Sequence, residues 1–230
     1  MCGRFANNET IPAMAARFHA RSTIAEDEWK PTYNVAPTHL MPAIIQDEGG
    51  RRLGLMRWGW PQSWNPAGLH VNAIGETAWA KGSFKDAFAN RRCIVPATEF
   101  FEWRPAPGKG KPMPYAFRLK QGGLFGIAGL WQMIEHEGKR VGAFILLTTN
   151  ANPVVKPVHH RMAAMLPPSS EDLWLDPKAT VEQVRELLAA YDAEAMETFR
   201  VSDRVNKVSN NDPTLLDRML DEPEAPDAPP

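Results

Sequence analysis

The sequence predicts an α+β fold, a single domain over residues 1–220 with a mostly antiparallel, barrel-like β core and flanking helices. Three observations predict it. Strand-like runs crowd the middle of the chain with no helical pattern between them, which excludes alternating βαβ units. Helical periodicity is confined to segments near the two ends. The chain has 230 residues, 43% of them hydrophobic, enough for one substantial core. The last ten residues, DEPEAPDAPP, are acidic and Pro-rich and read as a disordered tail over 221–230.

The elements follow in order. Thr10 is placed to cap a short helix whose apolar face is Ile11, Met14, Ala15 and Phe18, with Pro12 early enough to be tolerated. The polar stretch Arg21–Thr38, with Pro31 and Pro37, reads as loop. Leu40–Gln46 and Arg51–Trp60 flank the turn signal Asp47-Glu48-Gly49-Gly50 and predict a hairpin. Residues Pro61–His70 read as an ordered surface loop. Strands are expected at Arg92–Ala97, Pro114–Lys120, Phe125–Trp131 and Arg140–Asn150. In the second of these, Tyr115, Phe117 and Leu119 alternate with Ala116, Arg118 and Lys120. Near the end, Thr180 and Gln183 form a capping-box pattern ahead of a helix whose face is Val181, Val184, Leu188 and Tyr191.

Composition narrows the function. No stretch reaches the ~20 apolar residues of a membrane span, and the first residues lack a basic segment followed by an apolar one. A cytoplasmic protein is therefore expected. Two cysteines, Cys2 and Cys93, are too few for a disulfide framework. Cys93, within an apolar run, reads as a buried structural thiol. The net charge of -1 hides an asymmetry. Residues 1–165 carry 20 Lys and Arg against 12 Asp and Glu, a net of +8, and the remainder carries 6 against 15, a net of −9. A basic body fits a polyanion-binding face, although charge alone does not identify nucleic acid.

Cys2 carries the most specific chemistry. Removal of Met1 ahead of a small residue would make Cys2 the first residue and create a 1,2-aminothiol. Its α-amine has a reference pKa near ~7.7–8.0 and its thiol near ~8.5, so both nucleophiles are partly available at neutral pH. The amine can form a Schiff base with an aldehyde, and the thiol can close a thiazolidine ring. Alternatively, the amine can act as general base for the thiol, as in N-terminal-nucleophile hydrolases. Position alone does not separate either chemistry from an incidental cysteine near a frayed end. Gly3 permits close backbone approach, and Arg4 adds a cation suited to phosphate or carboxylate.

Six motifs occur in order: MCGRF at the start, YNVAP at Tyr33–Pro37, RWGW at Arg57–Trp60, NAIGET at Asn72–Thr77, RCIVPATEFFEW at Arg92–Trp103 and HHRMA at His159–Ala163. A seventh, VSNNDP at Val208–Pro213, is a diverged closing motif. Together they resemble the SRAP family, the SOS-response-associated peptidase domain. The resemblance implies binding to single-stranded DNA at abasic sites and a covalent crosslink, in which the N-terminal cysteine joins the ring-opened deoxyribose aldehyde as a thiazolidine. It also implies self-processing removal of Met1 and an abasic-site lyase activity.

By that resemblance Cys2 is the nucleophile, Asn72 positions the N-terminus, Glu102 is the acid/base and His159 is the catalytic histidine. Glu102 stands among Phe100, Phe101 and Trp103, where burial would raise its pKa. Arg4 and Arg161 are the leading phosphate contacts, Lys81, Lys85, Arg91 and Arg92 extend a basic surface, and Trp64 is a base-stacking candidate. Four departures stand out: Ile74 replaces an arginine, Thr98-Glu99 replaces Asp-Gly, His160 replaces an aspartate and Ala163 replaces a proline. Adjacent His159 and His160, without CxxC or HExxH spacing, give no metal site, and no cofactor is expected. The expected partner is single-stranded DNA with abasic sites, met by a monomer in the cytoplasm, nucleoid-associated on damaged DNA. The competing readings are an N-terminal-nucleophile cysteine hydrolase or amidotransferase, and a non-covalent DNA-binding module.

Overall fold

The computed structural model describes residues 2–219 apart from Trp64, Pro66, Pro107 and Lys109. Its centre is a ring of five strands. Leu40–Asp47 and Gly50–Trp58 form the expected hairpin, with Asp47 opposite Gly50. Gly50 has φ +101°, so the turn requires a residue without Cβ. Leu40–Asp47 also meets Arg92–Ala97 through Ile44 and Ile94. Arg92–Ala97 pairs with Phe125–His136, and that strand with Lys139–Asn150, all antiparallel. One parallel contact, Ala143 to Arg57 and Phe144 to Trp58, closes the circuit. The architecture is thus α+β with a mostly antiparallel, closed β core and short flanking helices.

A second sheet of five strands has the order Met196–Arg200, Met113–Leu119, Glu99–Arg104, Phe5–Asn7, Thr32–Val35. Its side chains alternate between two buried faces. One face packs Phe5, Phe100 and Phe117 on the ring: Phe100 stacks on Phe117 at 5.0 Å, and Phe5 lies 5.1 Å from Trp58. The other face gathers Ala6, Phe101, Ala116 and Phe199 with Val201 and Val205 in a smaller apolar cluster. Two buried faces explain why FFEW is so aromatic.

The helix at Ile11–Arg17 starts as expected, with the Thr10 hydroxyl accepting from the Ala13 N–H at 3.3 Å. Three expectations need correction. The Arg21–Thr38 stretch is not all loop: it contains Thr32–Val35 and the two-residue strand Arg21–Ser22. Asn34, in Thr32–Val35, donates through Nδ2 to the carbonyls of Val205, Lys207 and Asn210. Tyr33 N–H donates to Asn211 Oδ1 at 2.7 Å, so YNVAP and VSNNDP are partners in one junction. The C-terminal helix has its capping box but spans only Val181–Arg185. Beyond it, Leu187 and Leu188 donate three residues back, to Val184 and Arg185, a tightening that lays Leu188 on Gly75. Finally, Arg92 is buried, donating to the carbonyls of Trp174, Phe88, Ala89 and Asp176, and so forms no part of a basic surface. Among the described residues no helix is long and apolar enough to cross a membrane.

Candidate active site at the N-terminus

Cys2 enters the main apolar core ahead of the strand Phe5–Asn7 and is fully buried. Its thiol contacts the Arg4 carbonyl at 3.8 Å. Burial pushes the thiol pKa well up, the nearby negative charge of Glu102 pushes it further, and the amino terminus and a backbone hydrogen bond with Arg4 oppose. The resting sulfur is therefore a neutral thiol.

Asn72 opens the short strand Asn72–Ile74, held in parallel register against Leu146–Thr148. Its Nδ2 donates to the Cys2 carbonyl at 2.7 Å. Its Oδ1 is buried with no hydrogen-bond partner among the described residues. An orphaned buried acceptor costs roughly 1–3 kcal/mol. The side chain thus couples the start of the chain to the ring. Gly75, just after it, is a close approach, since a Cβ there would lie 3.1 Å from the Thr148 carbonyl.

Glu102 sits on Glu99–Arg104, which pairs with the N-terminal strand through Phe5 and Phe100. It is 3% exposed. Burial raises its pKa to about 7, against the pull of the positive amino terminus. The Cys2 thiol and the Glu102 carboxyl therefore feel one another electrostatically. Strand alternation does not turn Glu102 to solvent, because it shares the face on which Phe5, Phe100 and Phe117 are buried.

His159 Nδ1 lies 2.9 Å from the Arg161 N and 3.1 Å from the Arg161 carbonyl oxygen, so Arg161 offers a partner to either tautomer of the ring. Burial lowers its pKa, and the amino terminus lowers it further. His160 stacks on His159 at 4.4 Å, with planes 23° apart.

The phosphate candidates are placed less simply. Arg4 donates from one terminal nitrogen to Asn34 Oδ1 and the Val205 carbonyl, both at 2.7 Å, and lies over Trp103. That is the face of the second sheet opposite Glu102. Arg161 grips Glu76 with both terminal nitrogens, at 2.9 and 2.6 Å, and also donates to Asn150 Oδ1 and the Thr148 carbonyl. A phosphate at Arg161 has to compete with Glu76. Lys81 is exposed in the turn after the helix Gly75–Ala78. Trp64 lies outside the described residues. Ile74 is 38% exposed, an apolar side chain beside Asn72. Among the described residues no group of three or more His, Cys, Asp or Glu is placed to hold a metal ion.

Sequence reasoning missed Glu76, which binds Arg161, Thr149 and the Asn150 N–H. Its place in NAIGET was the available signal, but its partner lies 85 residues away. Cys93, by contrast, is buried as expected.

A ring of five strands with a cysteine at the second residue, an asparagine on its carbonyl and a buried, protonatable glutamate defines the class. The sequence model of the family described as SOS response associated peptidase (SRAP) matches residues 1–208, and the chain belongs to that family. Its relatives include the abasic site processing protein YoqW of Bacillus subtilis, 35% identical over 223 residues that cover 94% of this chain and 99% of the relative. YoaM of the same organism, also called an abasic site processing protein, is 36% identical with 94% and 98% covered. A Bacteroides thetaiotaomicron crystal structure superposes with a TM-score of 0.85 at 26% identity, covering 95% of this chain and all of that one.

Proposed function

We propose that this protein processes abasic sites in single-stranded DNA by crosslinking itself to them through Cys2. The observation that carries the reading is the pairing of a buried Cys2 with a Glu102 whose pKa is raised to about 7. The family and the names of its relatives support the substrate.

The chemistry balances without a cofactor. Met1 is removed by self-processing, and the α-amine of Cys2 becomes free. Asn72 Oδ1, the orphaned acceptor, receives an N–H of that amine and orients its lone pair. The amine adds to the C1′ aldehyde of the ring-opened sugar, and loss of one water gives the Schiff base. The sulfur then attacks the imine carbon while the thiol proton passes, by way of Glu102, to the nitrogen. The product is a thiazolidine, and the net loss is one water. A carboxyl titrating near neutrality can give and take protons in the same cycle. His159 can donate a ring N–H to the sugar oxygen that leaves as the ring opens. The same Schiff base permits strand cleavage by elimination, an accompanying lyase activity.

Intact mass spectrometry of the denatured adduct tests this sequence. The expected mass is that of processed protein plus oligonucleotide less one water, and borohydride should not change it, because a closed thiazolidine has no imine to reduce. A borohydride-dependent adduct would leave only a Schiff base and remove the role assigned to sulfur.

A further inference from the structure

Arg104, Tyr115 and Arg200 share the face of the second sheet that carries Glu102. Glu102 is directly opposite Tyr115, and Tyr115 is directly opposite Arg200. Residues directly opposite in antiparallel strands share a face, with strands ~4.8 Å apart, so Arg200 stands two strands, roughly 10 Å, from Glu102. Arg104 follows Glu102 by two residues and lies on the same face. Its guanidinium sits 5.0 Å from the centre of the Tyr115 ring. All three side chains are half-buried.

These two arginines differ from their neighbours in charge balance. On the opposite face, Arg118 and Arg218 both pair with Glu197. Near the active site, Arg161 pairs with Glu76. Among the described residues neither Arg104 nor Arg200 has a carboxylate partner, and Arg200 Nε is buried with no acceptor. Two un-neutralised guanidinium groups beside an aromatic ring match the demands of a nucleotide. Guanidinium forks bind phosphate oxygens, and a tyrosine face stacks on a base.

We propose that Arg104, Tyr115 and Arg200 form a subsite for a nucleotide flanking the lesion in single-stranded DNA, with the arginines on phosphate and Tyr115 under the base. The proposal rests on the abasic-site reading.

Two measurements on the full chain keep the two readings apart. The first is equilibrium binding of an intact single-stranded oligonucleotide, by fluorescence anisotropy, at several salt concentrations. The second is crosslinking to the same sequence carrying one abasic site. Arg104→Gln and Arg200→Gln should each lower the slope of log affinity against log salt by about 0.7, the loss of one phosphate contact. Tyr115→Ala should weaken binding roughly tenfold at fixed salt. Arg118→Gln, on the far face, should change neither readout. Arg104 makes no hydrogen bond to another described side chain, so Arg104→Gln serves if the Arg200 variant fails to fold. Unchanged slope and affinity in folded Arg104→Gln and Tyr115→Ala would overturn the subsite. Absence of any crosslink with wild type would overturn the abasic-site reading, while the anisotropy would still decide the subsite.

Discussion

At the scale of single residues, the site is a contest between burial and charge. Cys2 and Glu102 are both removed from water, and burial favours the neutral form of each. For Glu102, a folded-state pKa of about 7 stands above its ordinary 4.5. The acid stabilises the fold fully below pH ~4.5, and that contribution is lost as pH rises through about 7. Glu102→Gln, which cannot ionise, should therefore raise the melting temperature at pH 8 and leave it nearly unchanged at pH 4, read by thermal unfolding at both. The same variant should slow crosslinking by roughly 100-fold or more at pH 7.5. In wild type the rate should climb through pH 7 as the carboxylate forms, and Glu102→Gln should flatten that limb. The thiols make a separate prediction. Cys2 and Cys93 are buried, so iodoacetamide should label the folded, unprocessed chain roughly 100-fold more slowly than the unfolded one, by intact mass. Prompt stoichiometric labelling would mean that Cys2 is open to solvent.

At the scale of elements, the ring places the site because its strands come very close. A Cβ on Gly129 would lie 2.8 Å from Cys93 Sγ and 2.9 Å from the Ile145 carbonyl. Gly129→Ala should therefore cost roughly 1–3 kcal/mol, measured by denaturant unfolding. A cost near zero would show that the neighbouring strands yield freely. The elements also show what sequence can reveal. The hairpin at 40–58, the Thr10 cap and the Thr180 capping box were legible because each is written in neighbouring residues. Phe5–Asn7, Thr32–Val35 and Met196–Arg200 were not, because they have three to five residues each and are strands only by virtue of distant partners. The site divides in the same way. Cys2, Asn72, Glu102 and His159 were visible through motif spacing. The Arg161–Glu76 grip and the placement of Arg4 on the far face of the second sheet depend on long-range packing that no local pattern encodes.

At the scale of the whole molecule, charge is divided along the chain, with the excess of base in residues 1–165. Residues 166–230 carry the excess of acid, and DEPEAPDAPP contributes four carboxylates. Removing residues 221–230 should strengthen binding to single-stranded DNA a few-fold at low salt, with the gain vanishing near about 0.5 M salt as screening sets in. An equal gain at every salt concentration would argue against electrostatics. The central claim is that Cys2 bonds covalently to an abasic site. Its most direct test is a denaturing gel of the processed protein incubated with a single-stranded oligonucleotide bearing one abasic site, beside Cys2→Ser. The account predicts a heat-stable shifted band that is absent from the variant and from intact DNA. No band, with removal of Met1 confirmed by mass, would contradict it.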